Sequence, residues 1–398
     1  MARFNRRQFL VGSSVLGALG LAGGSVITWD DIRRHAVATP LAPSTGILVL
    51  VTMYGGNDGI NTVIPYADNA YHDARPELSY QPQEVLHLDG QLGLNPAMTG
   101  FAELWGRHHL AIVRGVGYPQ PDHSHFRSMD IWQTAAPDHP INTGWIGRWL
   151  DATGDDPVRA VNIGPVLPQL VLGEKHTAAA LDPASVPLSP ELSAAVAGLA
   201  AGDPRDSVAE TLVCAGYQAE QAVTQRFSGI GGKPGKPSGN PLAAQLTLVG
   251  QCIKAGAPTQ VYSVSLGGFD THADERRTQQ QLLGRLDSAV SGFLTDMAGH
   301  PRGHDVVLMA YSEFGRRVAA NASQGTDHGT AGPVFVAGAR VKGGFYGDEP
   351  SLTDLDNGDL KSTVDFRDIY SELLHRVVAT DPGPAVGTAR HELGVIAG

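Results

Sequence analysis

Short runs of apolar, mostly β-branched residues alternate with helical segments along most of this chain. The run at 47–51 (Ile-Leu-Val-Leu-Val) is continuously apolar, which is typical of a strand buried on both faces of a sheet. Between 282 and 297, apolar residues recur at helical spacing and predict one long amphipathic helix. Further strands are predicted at 110–113, 260–266, 305–311 and 334–336. This alternation predicts an α/β fold with a mostly parallel central sheet flanked by helices on both faces.

The first forty residues have the layout of an export signal. Arg6 and Arg7 precede a weakly apolar run that continues to about Ile27. Four glycines interrupt this run, so we predict no stable membrane span. A small-x-small cleavage pattern follows at 36–38 (Ala-Val-Ala). We therefore predict that residues 1–38 are a twin-arginine signal peptide, recognised by the twin-arginine translocase, and that the mature protein is periplasmic or secreted after export in the folded state. The alternative is a buried N-terminal helix with two chance arginines.

Composition indicates an ordinary globular protein. The chain has 398 residues, of which 42% are hydrophobic and 17% charged, and its formal net charge is −11. Loss of residues 1–38 would remove five arginines and two aspartates and change the net charge to −14. Such a surface disfavours nonspecific binding to nucleic acid or anionic lipid. The two cysteines, Cys214 and Cys252, could pair in an oxidising compartment or remain buried thiols.

A chain of this length forms one large α/β domain or two smaller ones. We predict a single domain over residues 45–380 with a variable middle region at 155–257, which is rich in Ala, Pro and Gly. Within that region, the Gly- and Pro-rich stretch at 229–239 predicts a mobile loop.

Carboxylates and imidazoles follow four of the predicted strands. They are Asp58, the cluster at 122–125 (Asp-His-Ser-His), Asp270 with His272, and Glu313 followed by Asp327 and His328. Because open α/β sheets bind ligands at the carboxyl ends of their strands, we expect these groups to converge. A mixed Asp/His set suits Zn²⁺, Mn²⁺ or a related divalent ion, which could polarise an ester oxygen.

Ser124 precedes a helical segment, where backbone N–H groups favour an anion, and is the predicted nucleophile. Each candidate also has a structural interpretation. Ser124 could be only a helix N-cap, and Asp58 only a turn residue. The Asp270-x-His272 spacing places both side chains on one face of an extended segment, but it is also compatible with a plain loop.

Five motifs occur in order along the chain. They are 55–62 (Gly-Gly-Asn-Asp-Gly-Ile-Asn-Thr), 124–126 (Ser-His-Phe), 268–272 (Gly-Phe-Asp-Thr-His), 312–316 (Ser-Glu-Phe-Gly-Arg) and 326–329 (Thr-Asp-His-Gly). Together they resemble a large uncharacterised family of twin-arginine-exported bacterial proteins grouped with alkaline phosphatases and sulfatases. The resemblance covers about residues 45 to 380 and implies an alkaline-phosphatase-like fold.

The resemblance also implies roles for individual residues. The two-metal pattern of the superfamily has a first-strand aspartate that matches Asp58 and a nucleophile that matches Ser124. Its next metal pair resembles Asp270 and His272, and its late histidine resembles His328.

This chain departs from that pattern at two positions. The superfamily's Asp-x-x-x-His is shortened to Asp270-x-His272, and its later Asp-His pair is replaced by Glu313-Phe314, of which the phenyl ring cannot bind a metal. One metal site could keep the Asp-x-His pair and the late histidine. The other would retain only Asp58 and Glu313, a carboxylate-only site suited to Mg²⁺, Ca²⁺ or no ion.

Two functions remain open from the sequence. The first is an extracytoplasmic, metal-dependent hydrolase that acts on an anionic phosphate or sulfate ester. The second is a degenerate hydrolase fold retained as a cell-envelope binding or assembly protein, favoured by Phe314 and the shortened pair. Nucleotide binding ranks below both, because the glycine pairs at 267–268 and 343–344 do not form a phosphate-binding fingerprint.

Overall fold

The computed structural model describes residues 29–38, 40–154, 156–164, 166–181, 239–388 and 390–397. Arg6, Arg7, Cys214 and nearly all of the predicted loop at 229–239 lie outside these residues. Cys252 is buried within a helix.

The strands that form within the described residues are short to medium in length. In chain order they are β1 (Ile47–Tyr54), β2 (Val63–Ile64), β3 (Leu86–His87), β4 (Gly93–Leu94), β5 (Leu110–Gly117), β6 (Ala160–Ile163), β7 (Ala179–Leu181), β8 (Val261–Gly267), β9 (Val306–Ser312), β10 (Arg316–Ala320), β11 (Thr326–His328), β12 (Gly332–Ala337), β13 (Gly344–Tyr346) and β14 (Val364–Asp365).

Nine of these strands form one central sheet, in the order β13-β5-β12-β9-β1-β8-β6-β7, with β14 beside β5. β1 runs parallel to both of its neighbours, β8 and β9. β12 runs antiparallel to both β5 and β9. The mostly parallel sheet is therefore confirmed. The predicted strand at 334–336 belongs to this sheet as part of β12, but it runs opposite to the common direction of the other strands.

Helices cover both faces of this sheet. They are α1 (Trp29–Ala38), α2 (Asn69–Ala74), α3 (Thr99–Gly106), α4 (His125–Thr134), α5 (Trp145–Thr153), α6 (Pro241–Lys254), α7 (Glu275–Ala298), α8 (Phe366–Glu372) and α9 (Gly383–Val386). The helix predicted at 282–297 is the larger part of α7. Among the described helices, none combines the length and the hydropathy needed to cross a membrane.

The two faces of the sheet belong to two separate hydrophobic cores, because successive side chains of a strand point to opposite sides. In β1, Val49 and Val51 pack into a core completed by α3, α6 and α7. Leu48 and Leu50 pack into the other core, where Trp132 of α4 lies with residues of α5 and α8. Complete burial on both faces explains why the 47–51 run contains only apolar residues.

The helix α1 overlaps the end of the predicted signal peptide. It packs against α6 and buries Ile32 in the core that also contains Val49 and Val51. Ala36 is also buried, whereas Val37 is exposed. Cleavage after Ala38 would remove α1 and uncover the surface of α6 that it covers.

The loops that carry the predicted site residues meet at one edge of the sheet. Tyr54, at the end of β1, pairs with Gly267, at the end of β8, and Met53 pairs with Ser312, at the end of β9. Because β12 is antiparallel, its first residue, Gly332, lies at this same edge. The segments that follow β1, β5, β8 and β9 and the segment that precedes β12 therefore surround one site.

Candidate metal centre

Three imidazole rings converge on the carboxylate of Asp270. Its Oδ1 lies 3.0 Å from Nε2 of His272, 3.2 Å from Nε2 of His328 and 3.4 Å from Nε2 of His125. The Nε2 atoms of His272 and His328 are 2.9 Å apart. The ligand atoms of His125, Asp270 and His328 all lie within 4.8 Å of one another. The structure thus brings Asp270, His272 and His328 together and adds a fourth side chain, His125.

These separations fit a divalent cation. Ligand atoms at ~2.0–2.1 Å from Zn²⁺ lie about 3.3–3.4 Å apart at neighbouring corners of a tetrahedron. The Nε2 atoms of His328 and His125 lie 3.2 and 3.4 Å from Asp270 Oδ1, close to that spacing. The Nε2 atom of His272 is nearer, at 3.0 Å from Asp270 Oδ1 and 2.9 Å from His328 Nε2. Imidazole nitrogens combined with a carboxylate oxygen suit Zn²⁺ or Mn²⁺ better than Mg²⁺ or Ca²⁺, which prefer oxygen ligands. The residues present therefore fit a metal of the predicted class.

The ring of His125 is oriented by a buried carboxylate. Its Nδ1 lies 2.9 Å from Oε1 of Glu313. An ionised carboxylate only accepts hydrogen bonds, so Nδ1 carries the proton and donates it to Glu313. The other ring nitrogen, Nε2, is buried without a hydrogen-bond partner and faces Asp270. A carboxylate behind a histidine is the usual outer partner of a metal ligand.

The other two imidazoles have outer partners of the same kind. Nδ1 of His328 lies 2.7 Å from the backbone carbonyl oxygen of His123 and donates to it. Nδ1 of His272 lies 3.5 Å from Oδ1 of Asp327. Asp327 thus lies behind His272, on the side away from Asp270. Because Nδ1 of His328 carries the proton, its Nε2 lone pair faces the centre and can accept a hydrogen bond from Nε2 of His272 at 2.9 Å.

A buried arginine and two pKa shifts define the charge of the centre. Arg316 is buried and donates to Asp270 Oδ1 at 2.8 Å, while its other N–H groups bond backbone carbonyls of 55–56, Phe269 and Thr326. Partial burial by itself raises the pKa of Asp270, but the hydrogen bond and the positive charge of Arg316 outweigh it and, with contributions from the neighbouring histidines, lower that pKa to about 2. Burial lowers the pKa of His328. An ionised carboxylate and a neutral imidazole are the forms that bind metals.

Phe314 holds the imidazoles in place. The ring is almost fully buried, and its centroid lies 4.9 Å from that of His125 and 4.8 Å from that of His328. It packs so closely on Gly56 that a Cβ there would lie 2.1 Å from the Phe314 ring. Gly56 also has φ +70°, which favours glycine. Phe314 therefore packs against these imidazole rings and positions them, and its own ring cannot bind a metal.

Asp58 is not available to a metal. Its carboxylate is fully buried in an ion pair with Arg75 and accepts from Nη1 and Nη2 of that guanidinium. Burial by itself raises the pKa of Asp58, but the charge of Arg75 outweighs this effect and lowers it. Next to this pair, burial and the charge of Asp58 raise the pKa of Glu275 to about 9, so Glu275 is protonated at neutral pH.

Glu313 is likewise bonded by the protein. Oε1 accepts the backbone N–H of Gly55 at 2.8 Å as well as His125, and Oε2 accepts the hydroxyl of Ser312 at 2.9 Å. Both carboxylates of the predicted Asp58 and Glu313 site therefore accept hydrogen bonds from protein donors in this structure.

Ser124 is the N-cap of α4, and its Oγ accepts from the backbone N–H of Arg127 at 3.5 Å. It is exposed and lies between His123, whose carbonyl binds His328, and His125. Phe126, the next residue of the helix, is 91% exposed. A cleft of about 470 Å³, lined in part by His123 and Phe314, adjoins the centre.

Sequence reasoning gave no individual role to three residues of this region: His125, which it counted only within the cluster at 122–125, Arg75 and Arg316. Two of them stand in motifs that were recognised, since His125 is the central residue of the Ser-His-Phe motif and Arg316 ends the Ser-Glu-Phe-Gly-Arg motif. Arg75 stands in no motif, and nothing local to it indicated that it pairs with Asp58.

Comparisons with known proteins give one family of unknown function and several distantly similar structures. Residues 211–384 match a family described as protein of unknown function, DUF1501. No curated protein matches the chain. Three similar solved structures can be described together. They are a protein in the alkaline phosphatase superfamily from Vibrio parahaemolyticus (11% identity, 90% of this chain, 76% of that chain, TM-score 0.43), the zinc complex of the C-terminal periplasmic domain of EcEptC from Escherichia coli (11%, 75%, 77%, 0.34) and alkaline phosphatase from the Antarctic bacterium TAB5 (9%, 75%, 92%, 0.33).

Proposed function

We propose that this protein is an extracytoplasmic, metal-dependent hydrolase of phosphate or sulfate esters. The observation that carries the proposal is the convergence of three imidazoles on Asp270. One of these imidazoles belongs to His125, which directly follows Ser124 at the start of α4. A divalent cation bound there would polarise an ester oxygen and neutralise charge that develops on the phosphoryl or sulfuryl group.

Ser124 is the proposed nucleophile. Its Oγ forms a bond to phosphorus or sulfur as the hydroxyl proton passes to water, the bond to the leaving oxygen breaks, and the leaving alkoxide takes up a proton from water to give the alcohol. A second water then hydrolyses the seryl ester, which restores the hydroxyl and releases phosphate or sulfate. The N-terminus of α4, a helix of 10 residues, favours the anionic group at this position. The adjoining cleft would receive the alcohol part of the substrate.

Hydrolysis of p-nitrophenyl phosphate and p-nitrophenyl sulfate tests the proposal directly. We expect the protein, purified without chelator, to hydrolyse at least one of the two esters. Treatment with a chelator should abolish the activity, and Zn²⁺ or Mn²⁺ should restore it, because ligation assembles the centre. If the metal-loaded protein hydrolyses neither ester, the proposal of a hydrolase is wrong.

One observation favours the second candidate, a cell-envelope binding or assembly protein without catalysis. Asp58 and Glu313, which were expected to form a second metal site, are both bonded by protein donors. A protein with this function would show no turnover in the same assay and would not need a bound metal.

We further propose that the twin-arginine translocase exports the protein. Because both arginines of such a signal are recognised, replacing Arg6 and Arg7 together by lysine should leave the precursor in the cytoplasm. Cell fractionation and immunoblotting would measure the distribution. The matched control replaces Arg33 and Arg34 by lysine, which makes the same chemical change outside the signal motif and should leave export intact. Normal periplasmic accumulation of the Arg6→Lys/Arg7→Lys variant would refute this route.

A further inference from the structure

We propose that the centre holds a single divalent cation, with His125 among its ligands and with the charge of Asp58 neutralised by Arg75 instead of by a second cation. This inference rests on the metal-binding part of the proposed function and is independent of hydrolysis. It is carried by the hydrogen bonds around His125, Glu313 and Asp58.

The contacts of His125 are those of an oriented metal ligand. Glu313 binds its Nδ1 from one side, and Phe314 packs against its ring. These two contacts fix Nε2 at 3.4 Å from Asp270 Oδ1, buried and without a hydrogen-bond partner. A buried polar atom without a partner costs about 1–3 kcal/mol. A cation shared with Asp270 and His328 would satisfy this atom.

Glu313 has the position of an orienting carboxylate. Its side chain is only 2% exposed and accepts hydrogen bonds from Gly55, His125 and Ser312. Because these bonds hold both carboxylate oxygens, the side chain is fixed in position. Carboxylates that hold a metal-binding histidine typically contribute about 10–100-fold to metal affinity. Glu313 therefore acts on the ion through His125 and does not contact it.

Arg75 excludes a second cation at Asp58. The two side chains are fully buried, and Asp58 Oδ1 additionally accepts the backbone N–H of Ile60. The remaining guanidinium bonds of Arg75 go to the carbonyl oxygens of Arg317 and Val318, which fix it in place. Arg75 bonds both oxygens of the fully buried Asp58, so a cation there would have to displace or closely approach the guanidinium, which like charges oppose. Arg316, by contrast, bonds only Oδ1 of Asp270, whose side chain is 49% exposed.

The test is the number of ions bound by the full chain. We expect titration calorimetry with Zn²⁺, and elemental analysis after dialysis, to give one equivalent per chain. His125→Ala should lose more affinity than the roughly 10–100-fold loss expected for Glu313→Gln. The matched control is His139→Ala, an exposed histidine outside the centre, which should bind Zn²⁺ as wild type does.

Several outcomes would overturn the inference. They are two equivalents of Zn²⁺ per wild-type chain, no bound Zn²⁺ at all, and unchanged affinity in His125→Ala. If His125→Ala does not fold, Glu313→Gln decides, and an affinity equal to that of wild type overturns the inference. One bound ion without ester hydrolysis would refute the hydrolase and leave this inference standing. Ester hydrolysis by a protein that binds two ions would support the hydrolase and overturn this inference.

Discussion

Replacing Ser124 by glycine should lower kcat for ester hydrolysis by about three orders of magnitude or more, while metal binding and stability stay close to wild type. Removal of a covalent nucleophile has effects of at least this size in hydrolases. Glycine is accepted at helix N-caps and costs only a few tenths of a kcal/mol there, so the helix that carries His125 remains formed. Steady-state hydrolysis of a nitrophenyl ester, with Zn²⁺ content measured on the same sample, provides the comparison.

The control for this prediction is another N-cap. Asn240 caps α6 and accepts from the backbone N–H of Ala243 at 3.3 Å. Asn240→Ala should cost about 1 kcal/mol of stability and leave kcat unchanged. If Ser124→Gly retains activity within tenfold of wild type, Ser124 is only a cap, and the nucleophile must be another group.

Replacing Arg75 by methionine should lower the free energy of unfolding by about 3–5 kcal/mol, because Asp58 would be left as a buried charge without its partner. The carbonyl oxygens of Arg317 and Val318 would also lose their donors, which adds to the loss. Chemical denaturation followed by circular dichroism would measure the change.

Two further variants distinguish the effect of breaking the buried ion pair from the effect of removing an arginine in general. The pair Arg107–Glu103 is exposed on α3, with side chains 66% and 71% exposed, so Arg107→Met should change stability by no more than about 0.5 kcal/mol. Adding Asp58→Asn to Arg75→Met should recover part of the loss, because it removes the unpaired charge. Equal effects of Arg75→Met and Arg107→Met would show that the buried pair does not stabilise the fold.

The sequence alone determined the class of fold, because burial leaves a local pattern. A strand covered on both faces must be apolar at every position, and a helix that covers a sheet must be apolar on one side. The run at 47–51 and the spacing at 282–297 carry these patterns, and they correspond to β1 and α7. The sequence also marked Asp270, His272 and His328, since each lies next to the end of a strand.

Only the tertiary structure decided which polar groups bond to one another. His125 and Glu313 are 188 residues apart, and Asp58 meets Arg75 from a different element. The direction of β12 was equally undetermined, because an apolar run reads the same in a parallel and an antiparallel strand. That direction brings the segment before β12, and with it His328, to the edge where β1, β8 and β9 end. Whether a carboxylate is free to bind a metal depends on such distant partners, which the order of strands in the sheet brings together and which local spacing does not encode.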